Sequence, residues 1–177
     1  MNKIEISILQ SANGVKFGSE PSAVHEIFGN DFDNYKDKKL TPSDKKFLMQ
    51  VAERMSDISG KPVSEYSKYF ENENEFDYDP CDYYSFCLID YDDNDKFNAI
   101  SIYSDQGTKL IVEGKDYSSF DLQKLLTLAD DFVEEENKSS YTSYSKQINI
   151  WCPDGDGRVE SVLFGCPGYY DKLDKSL

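Results

Sequence analysis

A single histidine, His25, stands in a chain of 177 residues. Ser-His-Asp and Cys-His mechanisms need a base that titrates near neutral pH, so any such mechanism must use it. His25 lies between Val24 and Glu26 in a helical segment, with no nucleophile elbow of the G-x-S-x-G type beside it. An ordinary surface or half-buried histidine is the expectation. Phosphate cradles are missing too: neither G-x-G-x-x-G nor G-x-x-x-x-G-K-[ST] occurs. Positive charge is scarce. Nineteen basic residues face 34 acidic ones, for a net charge of −15. Phosphate backbones and anionic membranes repel such a surface, which argues against nucleic-acid and membrane partners. No apolar run approaches the ~20 residues needed to span a bilayer. The opening MNKIEISILQSANG alternates apolar and polar residues where a signal peptide would be continuously apolar. A cytoplasmic location is therefore expected, with Cys81, Cys87, Cys152 and Cys166 reduced. Their spacing forms no C-x-x-C and no paired zinc knuckle, so neither structural zinc nor another cofactor is expected.

Aromatic residues are plentiful, with 13 Tyr and 11 Phe in a chain that is 38% hydrophobic. They supply enough apolar surface for a core of one large domain, 1–177, or of two closely packed halves, 1–105 and 106–177. Ile4, Ile6 and Ile8 alternate with polar residues as in a half-buried strand, and 15–17 reads as a second short strand. GSEPSAVHEIFG predicts a helix capped by Ser19 and ended by Gly29, burying Val24, Ile27 and Phe28. Thr41-Pro42-Ser43-Asp44 opens another, with Phe47, Leu48, Val51, Ala52 and Met55 at helical spacing. A shorter helix over 64–70 completes a helical insertion, 41–70. The acidic stretch ENENEFDYDP reads as a solvated loop. Residues 83–89 and 97–103 read as a hairpin with an acidic tip. After a strand at 110–112, Ser118 and Asp121 open a predicted helix over 118–133, and EEENKSSYTSYSK reads as a polar linker. Strands 147–152 and 159–164 then flank the turn PDGDG, and the C-terminal tail reads as loop.

The order strand, helix, hairpin occurs twice, and FCLIDYDDNDKFNAISIY parallels INIWCPDGDGRVESVLF. The expected fold is α+β: an antiparallel sheet built from two helix-plus-hairpin units, with helices packed on one face and the helical insertion in the first unit. A chance match of short apolar strands is the alternative to true duplication. This order of elements, with Gly18, Ser19, Val24, Phe28 and Gly29 around the first helix, resembles the β-lactamase inhibitor protein and related small bacterial lipoprotein domains. The resemblance implies a binding scaffold and carries over no functional residue, and the chain lacks the export signal of those proteins. In size, acidity and lack of export signal the chain also resembles bacterial toxin-immunity proteins.

Two acidic clusters invite a metal reading. Asp90, Asp92 and Asn94 could fill the first three ligand positions of a calcium loop. Asp95 stands where glycine is required, however, and Ser101 where a bidentate glutamate is required. An acidic hairpin tip is the better reading. Asp154-Gly155-Asp156-Gly157 reads as a tight turn. Among 34 acidic residues a carboxylate pair can always be found, so a carboxylate-dependent hydrolase is an alternative that no residue selects. A structural or oligomeric module is another, and nothing in the sequence selects an oligomeric state. Tyrosines are denser around the hairpins: Tyr78, Tyr83, Tyr84, Tyr91 and Tyr103 by the first, and Trp151, Tyr169 and Tyr170 by the second. Interface centres favour Tyr and Trp, and flanking acids would speed encounter with a basic partner. The candidate partner-binding residues are Tyr83, Tyr84, Tyr91, Asp92, Asp93, Asp95, Trp151, Asp154 and Asp156, with packing in the core as the competing role for the rings. The function expected is that of a non-catalytic binding protein, of the immunity type, that neutralises a basic protein such as a toxic nuclease.

Overall fold

In the computed structural model, residues 2–34, 42–71, 80–135 and 138–173 are described. In chain order the elements begin with β1 (Lys3–Ser7), β2 (Ser11–Ala12), β3 (Val15–Lys16), α1 (Pro21–Phe28), β4 (Asp33–Asn34), α2 (Pro42–Ser59) and α3 (Val63–Glu71). Strands β5 (Cys81–Tyr83), β6 (Cys87–Tyr91), β7 (Phe97–Tyr103), β8 (Lys109–Val112) and β9 (Lys115–Asp116) follow. The remainder is α4 (Leu122–Leu125) running into a 3₁₀ turn, then β10 (Val133–Glu134), β11 (Ser140–Ser143), β12 (Ile148–Trp151), β13 (Ser161–Gly165) and α5 (Tyr169–Leu173).

The strands form two sheets. The larger has eight strands in the order β10-β11-β12-β13-β7-β6-β5-β4, all antiparallel. The smaller has the order β3-β2-β1-β8-β9 and contains a parallel pair, β1 with β8, that sets Ile4 beside Leu110 and Ile6 beside Val112. Two tight turns punctuate it: Asn13-Gly14 (φ 48° and 81°) and Glu113-Gly114 (φ 49° and 75°). Both residues at positive φ is the type I′ geometry that matches strand twist, and glycine removes the steric cost at the second position.

Period-two alternation decides which side chains of the large sheet are buried. Register aligns Tyr141, Ile150, Val162, Ile102 and Cys87 in one inward row, and Ile148, Phe164, Ile100, Ile89 and Asp82 in the next. The apolar members of both rows join Ile4, Ile6, Ala12, Val15, Val24, Leu110, Val112, Phe120 and Leu125 in one hydrophobic cluster. Each large aliphatic side chain withdrawn from water there contributes about 1.5–3 kcal/mol.

The mixed α+β class holds; where one antiparallel sheet was expected the described residues form two, and both contribute side chains to the hydrophobic cluster. Helix α1 begins at Pro21 as the sequence suggested. Its cap is Glu20 and not Ser19, whose backbone is engaged with Lys16 and Phe97. Val24 is buried, but Ile27 faces solvent. Helix α2 begins at Pro42; the proposed cap Thr41 lies outside the described residues, as do most of ENENEFDYDP and the last four residues. Helices α2 and α3 pack on one another, burying Ala52 and Ser67 while Val51 and Met55 stay exposed. The helix expected over 118–133 is cut to 122–128. Asp121 caps it, accepting from Lys124 N at 2.8 Å, and Ala129 is already extended. Asp131 beyond it is drawn away to hold the turn after β11, accepting from Ser143 Oγ at 2.5 Å and Ser145 N at 3.0 Å. The expected polar linker contains β11, whose four residues are all buried. The strand expected over 83–89 is instead a hairpin reversing at Tyr84, whose N–H donates to Cys87 O at 2.9 Å.

Candidate aromatic cleft

Trp151 is the last residue of β12, and its side chain lies on the face of the large sheet opposite the core, 45% exposed. Across β13 it pairs with Ser161, which pairs in turn with Tyr103 of β7. A serine between two aromatic residues on one face leaves a gap about two strand spacings wide, roughly 10 Å. Tyr83 of β5 packs its ring on that of Tyr103, with centroids 5.9 Å apart. The result is a cavity of about 340 Å³ lined by these three rings together with Asp105, Arg158 and Glu160. Burial, and then the hydrogen bond with Tyr83, hold the Tyr103 phenol far above the usual tyrosine range, so it stays neutral.

Beyond Ser104, Asp105 and Arg158 a second cavity of about 590 Å³ continues past Ser119, Asp121 and Leu122 to Gly157 and Val159. The two share those first three residues and form one cleft. Three loops build it: the segment after β7, the turn before α4, and the loop joining β12 to β13. Ser104 ties the first to the third, donating from Oγ to Val159 O at 2.7 Å and from N to Glu160 O at 2.9 Å. The walls carry three carboxylates, Asp105, Asp121 and Glu160, against the one guanidinium of Arg158.

Of the residues singled out in the sequence, Tyr83 and Trp151 meet in this cleft. Tyr84 and Tyr91 do not. They are 1% and 5% exposed, part of the core: Tyr84 is buried at the reversal after β5, and Tyr91 follows Cys87 and Ile89 on the inward face of β6. Tyr84 donates its hydroxyl to Gly29 O at 2.8 Å and Tyr91 donates to Asp82 Oδ2 at 2.5 Å. Asp92, Asp93 and Asp95 form the β6–β7 tip, where Asp92 Oδ1 accepts the N–H groups of Asn94 and Lys96 at 3.0 Å each. Asp154 and Asp156 lie in the other tip, beside the cleft and not lining it; Asp156 Oδ1 accepts Arg158 N at 2.8 Å. Tyr78 lies outside the described residues. Tyr103, one of the hairpin tyrosines but not a candidate binding residue, joins Asp105, Arg158 and Glu160 as a wall residue, and their convergence depends on the β13–β7 register, which no local pattern reveals.

His25 also has a structural setting. Its Nε2 meets the buried carboxylate of Asp82 at 2.7 Å, and its ring stacks on Phe32 with centroids 4.6 Å apart. The contact ties α1 to the inner face of the large sheet. No disulfide joins the four cysteines, and burial raises the thiol pKa of Cys87 and Cys152, making them poor nucleophiles. Among the described residues there is no cluster of three His, Cys, Asp or Glu side chains suited to a metal ion, and no helix long and apolar enough to cross a membrane. Compared with protein-family models, curated proteins and solved structures, the chain matches none.

Proposed function

We propose that this chain is a non-catalytic binding protein that engages a basic protein partner through the cleft around Tyr83, Tyr103 and Trp151, in the manner of a toxin-immunity protein. The observation that carries the reading is the position of the chain's single tryptophan: exposed at 45%, opposite two tyrosines across a cavity, with Asp105 and Glu160 beside it. Interface centres favour rings that bury area at low entropy cost, and surrounding carboxylates select a cationic surface. A net charge of −15 would steer such a partner in. A toxic nuclease fits, since its surface for phosphates is basic and an acidic inhibitor can occupy it.

The same reading includes a duplicated architecture. The large sheet reads alike from either edge, three strands on each side of the central β7–β13 pair. The small sheet repeats a type I′ turn, at 13–14 and 113–114, each followed by an aromatic residue and a short helix with one buried aliphatic, Val24 or Leu125. The test is protection of cells by this chain from a secreted toxin encoded beside it. The complex should be tight, its association rate should fall with salt, and Trp151→Ala should weaken it. Absence of protection rejects the immunity role.

A further inference from the structure

The two units differ at one joint, and the difference describes a ligand. In the first unit the segment before α1 is zipped to the start of β7. Gly18 N–H donates to Phe97 O at 2.7 Å, Phe97 N–H donates to Ser19 O at 2.9 Å, and Lys96 pairs with Glu20. Phe17 closes over Phe97 with ring centroids 4.9 Å apart. Aligning the hairpins by register about the Ser101–Leu163 pair of β7 and β13 matches Lys96 with Arg158 and Phe97 with Val159. The residues at positive φ then coincide, Asp95 with Gly157. Matching the type I′ turns sets Gly18 and Ser19 against Ser118 and Ser119, and the helix caps Glu20 and Asp121 follow with one extra residue, Phe120 (φ 47°), in the second unit.

Neither backbone bond recurs in the second unit. Ser118 N–H turns to Asp116 Oδ1 at 2.8 Å, and the Val159 carbonyl takes the Ser104 hydroxyl at 2.7 Å. Where the first joint is closed, the second holds the cavity of about 590 Å³ between residues 119–123 and 157–159, opening into the aromatic compartment.

We propose that this open joint receives an extended segment of a basic partner protein. Its main chain lies along residues 157–159, as the first unit's own residues 18–20 lie along 96–97, and one arginine or lysine enters the Tyr83–Tyr103–Trp151 compartment. The inference rests on the binding role and duplicated architecture proposed above. In the first unit two main-chain bonds satisfy the corresponding joint, from a segment that turns at Gly18 (φ 86°) and is extended at Glu20, and an extended partner chain can supply the same donor and acceptor. Aromatic faces with nearby carboxylates suit a cation, by cation–π attraction and charge. The three wall carboxylates outnumber Arg158: Arg158 and Asp105 border both cavities, and Glu160 adds a further carboxylate to the aromatic compartment.

Trp151 is the single tryptophan, so intrinsic fluorescence reads this cleft directly. The probe is an acetylated, amidated pentapeptide of alternating valine and arginine, with a valine–glutamate pentapeptide as its counterpart. The basic peptide should change Trp151 emission saturably and move backbone amide resonances at 104–106, 119–123 and 157–160. Its affinity should fall about tenfold in Asp105→Asn/Glu160→Gln, a pair of surface substitutions. The acidic peptide should do neither. The proposal is overturned by an absent or non-saturable response, an equal response to the acidic peptide, unchanged affinity in the double variant, or amide shifts centred elsewhere. A toxin that binds Trp151→Ala with undiminished affinity also overturns the cleft assignment, while leaving the protective role intact.

Discussion

Replacing Tyr91 by Phe removes one hydroxyl and nothing else, and the structure sets its worth. That hydroxyl donates at 2.5 Å to Asp82 Oδ2, which also meets His25 Nε2 at 2.7 Å. Asp82 is 1% exposed, so water cannot replace the lost donor. A hydrogen bond to a charged group contributes about 1.5–3 kcal/mol, and Tyr91→Phe is expected to destabilise by that amount. Asp82→Leu should cost more, about 3 kcal/mol, because it strands the buried Tyr91 hydroxyl and releases His25 and with it α1. The decisive variant is the double one. With both polar partners gone, no hydroxyl is stranded, so Asp82→Leu/Tyr91→Phe should cost less than the sum of the singles by about 1–2 kcal/mol. Urea unfolding followed by Trp151 fluorescence and by far-ultraviolet circular dichroism measures all three. A Tyr91→Phe variant within about 0.5 kcal/mol of the parent, or strict additivity in the double, would refute this account of the Asp82 network.

Three further outcomes are expected. Burial raises the phenol pKa of Tyr84, Tyr91, Tyr103 and Tyr170 above the ordinary value. A group whose pKa is higher folded than unfolded adds stability below its unfolded pKa, and that stability is lost as pH rises past it. Stability should therefore fall above about pH 10, and phenolate absorbance should appear cooperatively with unfolding; a gradual, non-cooperative titration of these phenols near pH 10 would contradict it. Thr108 Oγ1 is buried without a hydrogen-bond partner. Thr108→Val should raise thermal stability, by about 1 kcal/mol, and a loss of that size would mean that the hydroxyl has a partner. At Gly165 an added Cβ would come within 2.7 Å of Tyr169 Cβ and Cγ, so Gly165→Ala should cost about 1–3 kcal/mol in denaturant unfolding, and a neutral result would mean that α5 shifts freely.

Local signals were read well where they are local. Pro42 at the start of α2, Gly29 at the end of α1 and the alternation of β1 each rest on backbone chemistry within a few residues. Reading failed where the tertiary environment overrides propensity. Residues 140–143, Ser-Tyr-Thr-Ser, look like linker but form a buried strand because Thr142 and Ser143 find side-chain partners in Asn149 and Asp131. Leu126, Ala129, Phe132 and Val133 continue the helical spacing of Leu122 and Leu125, yet the helix stops because Asp131 is needed elsewhere and Val133 pairs with Thr142.

The candidate site divides along the same line. Composition alone set the charge and placed tyrosines and the tryptophan near two acidic turns, which pointed to the hairpins as a region of interest. Whether a given ring packs inward or faces water was decided by the reversal at Tyr84 and by strand register. One-residue shifts exchange the faces of a strand, so Tyr83 and Tyr84, neighbours in sequence, end on opposite sides of the sheet. The cleft itself joins residues 83, 103 and 151 with three loops, around 104–106, 119–121 and 157–160. Such long-range pairing is a property of the assembled sheet, which no local stretch of sequence encodes.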